Sequence, residues 1–131
     1  FVNYSEWSIP LGRRFRALKL WFVLRAYGLE GLRDVMRDHV RWCQDLAAEL
    51  GADPRFEIVT EPVLALFTLA LRGADDAAMI DYVNRVNEDG RIYVTQGRTR
   101  GRIVMRFTVG SFACTAEDVR LAGDVLKEMA G

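Results

Sequence analysis

Histidine occurs once in 131 residues, as His39, and cysteine twice, as Cys43 and Cys114. These scarcities exclude a good deal. The cysteines are far apart and lack a metal-ligand spacing, so no metal site is expected. They read as reduced thiols of a cytoplasmic protein rather than as a disulfide. No Ser-His-Asp arrangement can be assembled with a single histidine of no evident partner. Neither sign of charge is in excess: 18 Lys and Arg balance 18 Asp and Glu. A basic footprint is therefore missing, which argues against nucleic acid as a partner. No apolar run reaches the roughly 20 residues that span a bilayer. The best candidate, Leu18 to Ala26, is broken by Lys19 and Arg25. No signal-peptide pattern is present. Gly97 and Gly101 lack the strand-glycine-helix context of a phosphate loop. The chain begins at Phe1 rather than Met, which suggests a piece of something longer.

What is there is a hydrophobic half and a clear alternation of periods. Length and apolar content suit one domain with a real core. Residues 1 to 10 read as extended, since the residue before Pro10 avoids the helical region. A helix is expected from about Leu11 to Tyr27, stopped by Gly28. Its apolar residues, from Phe15 to Tyr27, cover most of the circumference, the mark of a helix buried on several sides. A second helix is expected over about Glu30 to Leu50, with Leu32, Val35, Met36, Val40, Cys43, Leu46, Ala47 and Leu50 on its stripe. Strands follow at Phe56–Val59 and Val63–Leu71. A third helix opens at the N-cap Asp75, carries Met79, Ile80, Val83 and Val86 inward, and closes at Gly90. Two more strands, Arg91–Thr95 and Ile103–Val109, are joined through Gln96 to Arg102. A last helix starts at Thr115, where Asp118 completes a capping-box-like pattern. Its stripe is Val119, Ala122, Val125, Leu126 and Met129. This order predicts an α+β fold, a four-stranded antiparallel sheet with helices packed on one face.

Two features stand out chemically. Arg13, Arg14, Arg16 and Lys19 crowd a helix start, where the helix dipole disfavours cations by a few tenths of a kcal/mol each. They read either as a seat for an anion or an acidic protein surface, or as a solvated basic patch whose stems cover apolar surface. Arg106 stands between Met105 and Phe107 in an apolar strand, where an unpaired charge is expensive. Alternation sets it on the opposite face from both neighbours. It reads either as a planar fork for a carboxylate or as a solvent-facing residue on the open side of the sheet. His39, near the second helix's apolar stripe, is assigned no role.

The segment Trp7 to Gly28, with its core Ile9-Pro-Leu-Gly-Arg-Arg-Phe-Arg-Ala-Leu-Lys-Leu-Trp21, resembles the aromatic-L-amino-acid decarboxylase family, the group II pyridoxal-phosphate decarboxylases. The resemblance continues through Asp53-Pro-Arg-Phe-Glu-Ile58 and Val104-Met-Arg-Phe-Thr108, so it covers essentially the whole chain. It implies the C-terminal portion of a longer enzyme of the aspartate-aminotransferase type (fold type I). Residues 1–28 would be an extended segment and helix linking to a large cofactor domain. Residues 29–131 would be the small C-terminal domain. The reaction implied is decarboxylation of aromatic L-amino acids of the tryptophan, dopa, tyrosine or phenylalanine type. The cofactor implied is pyridoxal 5'-phosphate, bound mainly by the large domain.

The family's Schiff-base lysine, ring-stacking histidine, pyridine-pairing aspartate and loop tyrosine lie upstream of this segment. No catalytic or cofactor-binding residue is therefore expected in this chain, and Lys19 is not the cofactor lysine. Two positions carry over as substrate-binding. Gly12 matches the position against the substrate ring, where glycine leaves room for larger rings; such a contact is worth about 1–3 kcal/mol. Arg106 matches an arginine on the active-site side of the small domain. The partners implied are the remainder of the same enzyme, a second copy in a homodimer and a small aromatic amino acid, with no nucleic acid and no membrane. The resemblance also turns the cationic helix start toward an interdomain or intersubunit surface. Two other readings stand beside this one: a stand-alone α+β ligand-binding or regulatory domain, and an aldehyde-forming relative of the decarboxylases.

Overall fold

A computed structural model describes Trp7 and residues 15–131. The expected extended start, the beginning of the first helix, and Gly12, Arg13 and Arg14 lie outside the described residues. The elements are α1 (Ala17–Ala52), β1 (Phe56–Val63), β2 (Leu66–Leu71), α2 (Asp76–Asp89), β3 (Thr95–Thr99), β4 (Arg102–Thr108) and α3 (Ala116–Met129). The chain divides into two compact units, Phe1–Asp34 and Val35–Gly131.

In the first unit, α1 is interrupted where the sequence places its stop. Gly28 has φ 68° and ψ 165°, outside helical geometry and in a region that L side chains rarely adopt. The side chains expected to be buried are not: Phe15, Leu20, Trp21, Phe22 and Tyr27 are all more than half exposed. Trp21 meets Phe22 edge-on at 5.1 Å, and the Arg25 guanidinium lies 5.8 Å from the Trp21 ring centre.

In the second unit, four antiparallel strands pair in the order β1-β2-β4-β3. The α+β architecture is the one expected. Pairing sets Phe56, Ile58, Leu69, Leu71, Phe67, Met105 and Phe107 on one face. The helices pack there. The Phe56 and Tyr82 rings stand 6.4 Å apart, and Gly51 of α1 approaches Ile58. Tyr82 of α2 donates to the Leu126 carbonyl of α3 at 2.8 Å. The second helix's stripe differs by a small rotation from the expected one. His39, Cys43, Leu46, Ala47 and Leu50 are buried, whereas Met36 is exposed. His39 is thus a packed residue, tilted against Trp42 at 5.8 Å. On α2, Tyr82 replaces Ile80 on the buried stripe with Met79, Val83 and Val86.

The caps hold as the sequence indicates. Asp75 accepts from the Ala78 amide at 2.8 Å, and Gly90 ends α2 at φ 80°. Thr115 and Asp118 form a reciprocal capping box. Strand boundaries are corrected: β2 begins at Leu66 and not at Val63, which ends β1. β1 runs on through Pro62 to Val63, because β1 is an edge strand, where proline removes no needed hydrogen bond, and register shifts follow Ile58 and Thr60. β3 begins at Thr95, not at Arg91. Asn87 pins Val94 through both its amide and carbonyl at 3.0 and 2.8 Å, which keeps residues 91–94 in a loop against α2. Arg100 and Gly101, at φ 51° and 83°, then make a two-residue turn into β4.

Cys43 and Cys114 are both free thiols. Burial pushes the Cys43 thiol up to about 11. No helix among the described residues is long and apolar enough to cross a membrane.

Candidate functional site

The strand face turned away from the helix contacts carries polar residues from all four strands. Cross-strand pairing aligns Thr60, Thr68, Arg106 and Thr95 in one row. Glu57 and Ala70 lie in the next row, with Val104 opposite Gly97. The threonines are tied together: the Thr60 and Thr68 hydroxyls stand 2.7 Å apart, and the Thr68 amide donates to Thr60 Oγ1 at 3.1 Å. That stiffens the surface beside Arg106.

Arg106 is exposed on this face. Among the described residues its side chain has no hydrogen-bond or ion-pair partner. Its neighbour on the same face, Arg102, differs: it donates to Glu57 Oε2 at 2.7 Å, reaching across β2. Arg98 is likewise engaged, by Asp76 at 2.8 Å and by the Gly101 carbonyl. The Arg106 guanidinium is therefore a permanently charged, planar donor fork whose capacity is unspent. It borders a cavity of about 270 Å³ lined also by Ile92, Tyr93, Thr95 and Thr108. Such a group can bind a carboxylate in two parallel hydrogen bonds.

The remaining sequence candidates do not gather around it. Gly12, Arg13 and Arg14 lie outside the described residues, and Arg16 and Lys19 are exposed on the first unit. No group of three or more histidine, cysteine or carboxylate side chains that could hold a metal occurs among the described residues.

Arg55 is a working residue that the sequence reading did not single out. It pairs with Asp53 at 2.7 Å and donates to the Lys127 and Gly131 carbonyls at 3.0 Å each. It therefore ties the α1–β1 turn to the end of α3. The fork beside Asp53 holds that carboxyl down at about 2, mainly through the side-chain hydrogen bond and then through the Arg55 amide. The signal was the Asp53-Pro-Arg55 spacing, a turn in which a carboxylate can meet a guanidinium. Its distant partners on α3 left no local trace.

The model of the pyridoxal-dependent decarboxylase conserved domain matches residues 1–72. Aromatic-L-amino-acid decarboxylase of Rattus norvegicus is 38% identical over 129 residues, covering 98% of this chain and 27% of the rat protein. Phenylacetaldehyde synthase of Arabidopsis thaliana is 35% identical over 135 residues, covering 98% of this chain and 28% of the relative. The solved structure of Oryza sativa TDC with PLP and tryptamine superposes with a TM-score of 0.85 at 33% identity, over 98% of this chain and 29% of that one. The chain thus spans little more than a quarter of the length of these relatives.

Proposed function

The chain belongs to the pyridoxal-dependent decarboxylase family, and from that premise we propose that it forms the C-terminal, substrate-facing part of an enzyme that converts aromatic L-amino acids to amines. One observation carries the reading: 98% of the chain matches an aromatic-L-amino-acid decarboxylase at 38% identity while covering only 27% of it. In this reading residues 1–28 link to a large cofactor domain and residues 29–131 form the small domain, in a cytoplasmic homodimer. The exposed Phe15, Leu20, Trp21, Phe22 and Tyr27 support it. Such a density of apolar side chains on one helix calls for a covering surface, which the large domain would supply.

The family depends on pyridoxal phosphate, whose ring takes up the electrons released when carbon dioxide leaves. The described residues do not form its seat. Of the chain's two lysines, Lys19 is exposed on α1 and Lys127 is paired with Glu49. No step is therefore routed through the cofactor. The contribution of this chain is to bind and orient. Arg106 presents its fork to a carboxylate, and Gly12 leaves space for the substrate's ring.

The test is to express the full-length polypeptide with pyridoxal phosphate and supply tryptophan, dopa, tyrosine and phenylalanine. Release of carbon dioxide with the matching amine is expected. Turnover of none of them would overturn the reading. A second reading is favoured by the 35% identity to a phenylacetaldehyde synthase: consumption of dioxygen and water with release of the aldehyde, carbon dioxide, ammonia and hydrogen peroxide, in place of the amine, would select it.

A further inference from the structure

A glycine in the middle of a strand weakens it, so its presence calls for a reason. Gly97 is the central residue of β3. Its backbone is not in the left-handed region, so conformational freedom does not explain it. Space does. A Cβ built on Gly97 would stand 3.1 Å from Arg106 Cδ and 3.5 Å from Cγ. The first distance is tighter than nine in ten such contacts, so the arginine stem would have to give by a few tenths of an ångström. Arg106 is paired with Thr95 and Gly97 with Val104, so the two residues are diagonal neighbours on one face. The Arg106 stem therefore leans across β3 over the bare Gly97 backbone. That lean decides where the guanidinium ends up. On the other flank, the hydrogen-bonded Thr60–Thr68 pair borders the same side chain.

We propose that Gly97 is a positioning residue for Arg106: its missing side chain lets the arginine stem lie across β3 and sets the guanidinium where it can grip a carboxylate. The carboxylate belongs either to the amino-acid substrate or to an acidic side chain elsewhere in the full-length polypeptide. The contact between the two residues stands on geometry alone. Only its consequence for turnover rests on the function proposed above.

The test is a double-mutant cycle in the full-length holoenzyme, comparing Gly97→Ala, Arg106→Ala and the double variant. Arg106→Ala should lower kcat/KM by roughly 10- to 100-fold, the loss of one charged hydrogen-bonded contact. Gly97→Ala should reproduce part of that loss alone and add nothing in the Arg106→Ala background. Melting temperature gives a readout independent of turnover. Gly97→Ala should lower it with Arg106 present and raise it with Arg106 absent, since alanine is the better strand residue once the collision is gone. Equal effects of Gly97→Ala in both backgrounds, on kcat/KM and on melting temperature, would overturn the proposal.

Inhibition by the product amine separates the two carboxylate sources. If the substrate supplies the carboxylate, Gly97→Ala weakens the amino acid and leaves the amine's inhibition constant unchanged. If an acidic side chain supplies it, both ligands weaken together. If Arg106→Ala leaves turnover intact while the melting temperatures still change sign, the positioning stands and the function assigned to Arg106 falls.

Discussion

Tyr82 on α2 donates its hydroxyl proton to the Leu126 carbonyl on α3 at 2.8 Å, from a side chain with no exposed surface. Burial pushes its phenol well above the ordinary range, so it remains a donor at every pH the protein meets. The Phe56 ring packs beside it at 6.4 Å. One residue thus joins the sheet to two helices. Tyr82→Phe keeps the ring and leaves the Leu126 carbonyl unpaired in the core. A loss of about 1–3 kcal/mol is expected, read as a lower urea midpoint at unchanged slope.

Gly123 of α3 faces Leu46 of α1, and a Cβ at Gly123 would stand 2.8 Å from Leu46 Cδ1. Leu46 is itself buried and has little room to yield. Gly123→Leu should cost about 1–3 kcal/mol by overpacking. Combining it with Leu46→Ala should return part of the stability. Denaturation of the single and paired variants checks this, and a loss that the second change does not relieve would place the strain elsewhere.

Acid should act on the sheet-bearing unit through Asp53. Its carboxyl titrates at about 2 when folded, against about 3.9 in an unfolded chain. As pH falls the unfolded chain takes up the proton first, so stability present above about 4 is lost as pH falls toward about 2. Asp76 is held low by the Ile103 amide and then Arg98, Asp89 by the Arg91 side chain and amide, and Asp118 by the Thr115 amide and hydroxyl, and all three push the same way. Melting temperature should be flat from neutral pH to about 5 and decline below about 4. In Arg55→Met the Asp53 carboxyl should titrate closer to its unfolded value, as followed by carboxyl-carbon NMR.

Gly12→Ser tests the ring-side assignment. Adding a hydroxymethyl group narrows the space proposed for the substrate ring. Preference for tryptophan over histidine should fall by about tenfold, within the 1–3 kcal/mol that one pocket contact supplies. Ratios of kcat/KM measure it in the full-length enzyme, and an unchanged ratio would remove Gly12 from the pocket.

Local signals carried much of this fold. The caps at Asp75, Gly90 and Thr115 needed only their neighbours within a turn, and so they were legible. The break at Gly28 was legible for the same reason. The start of β3 was not, because Val94 is held in its loop by Asn87, a residue on the preceding helix. Nor was the choice of Tyr82 over Ile80 for the core. Both fit a helical stripe, and only the positions of Phe56 and Leu126 decide between them.

Arg106 shows the same division at the candidate site. Alternation alone set it apart from Met105 and Phe107, and the sequence motif tied it to a decarboxylase family. Its solvent exposure, its contrast with the paired Arg102 and its stem over Gly97 came from strand register. Composition, periodicity and motif are properties of short stretches, and they determined the elements, their order and the family. Pairing across strands and packing between helices join residues tens of positions apart. Such contacts depend on the whole chain closing on itself, so only the tertiary structure decided which charges are spent on other side chains and which remain available.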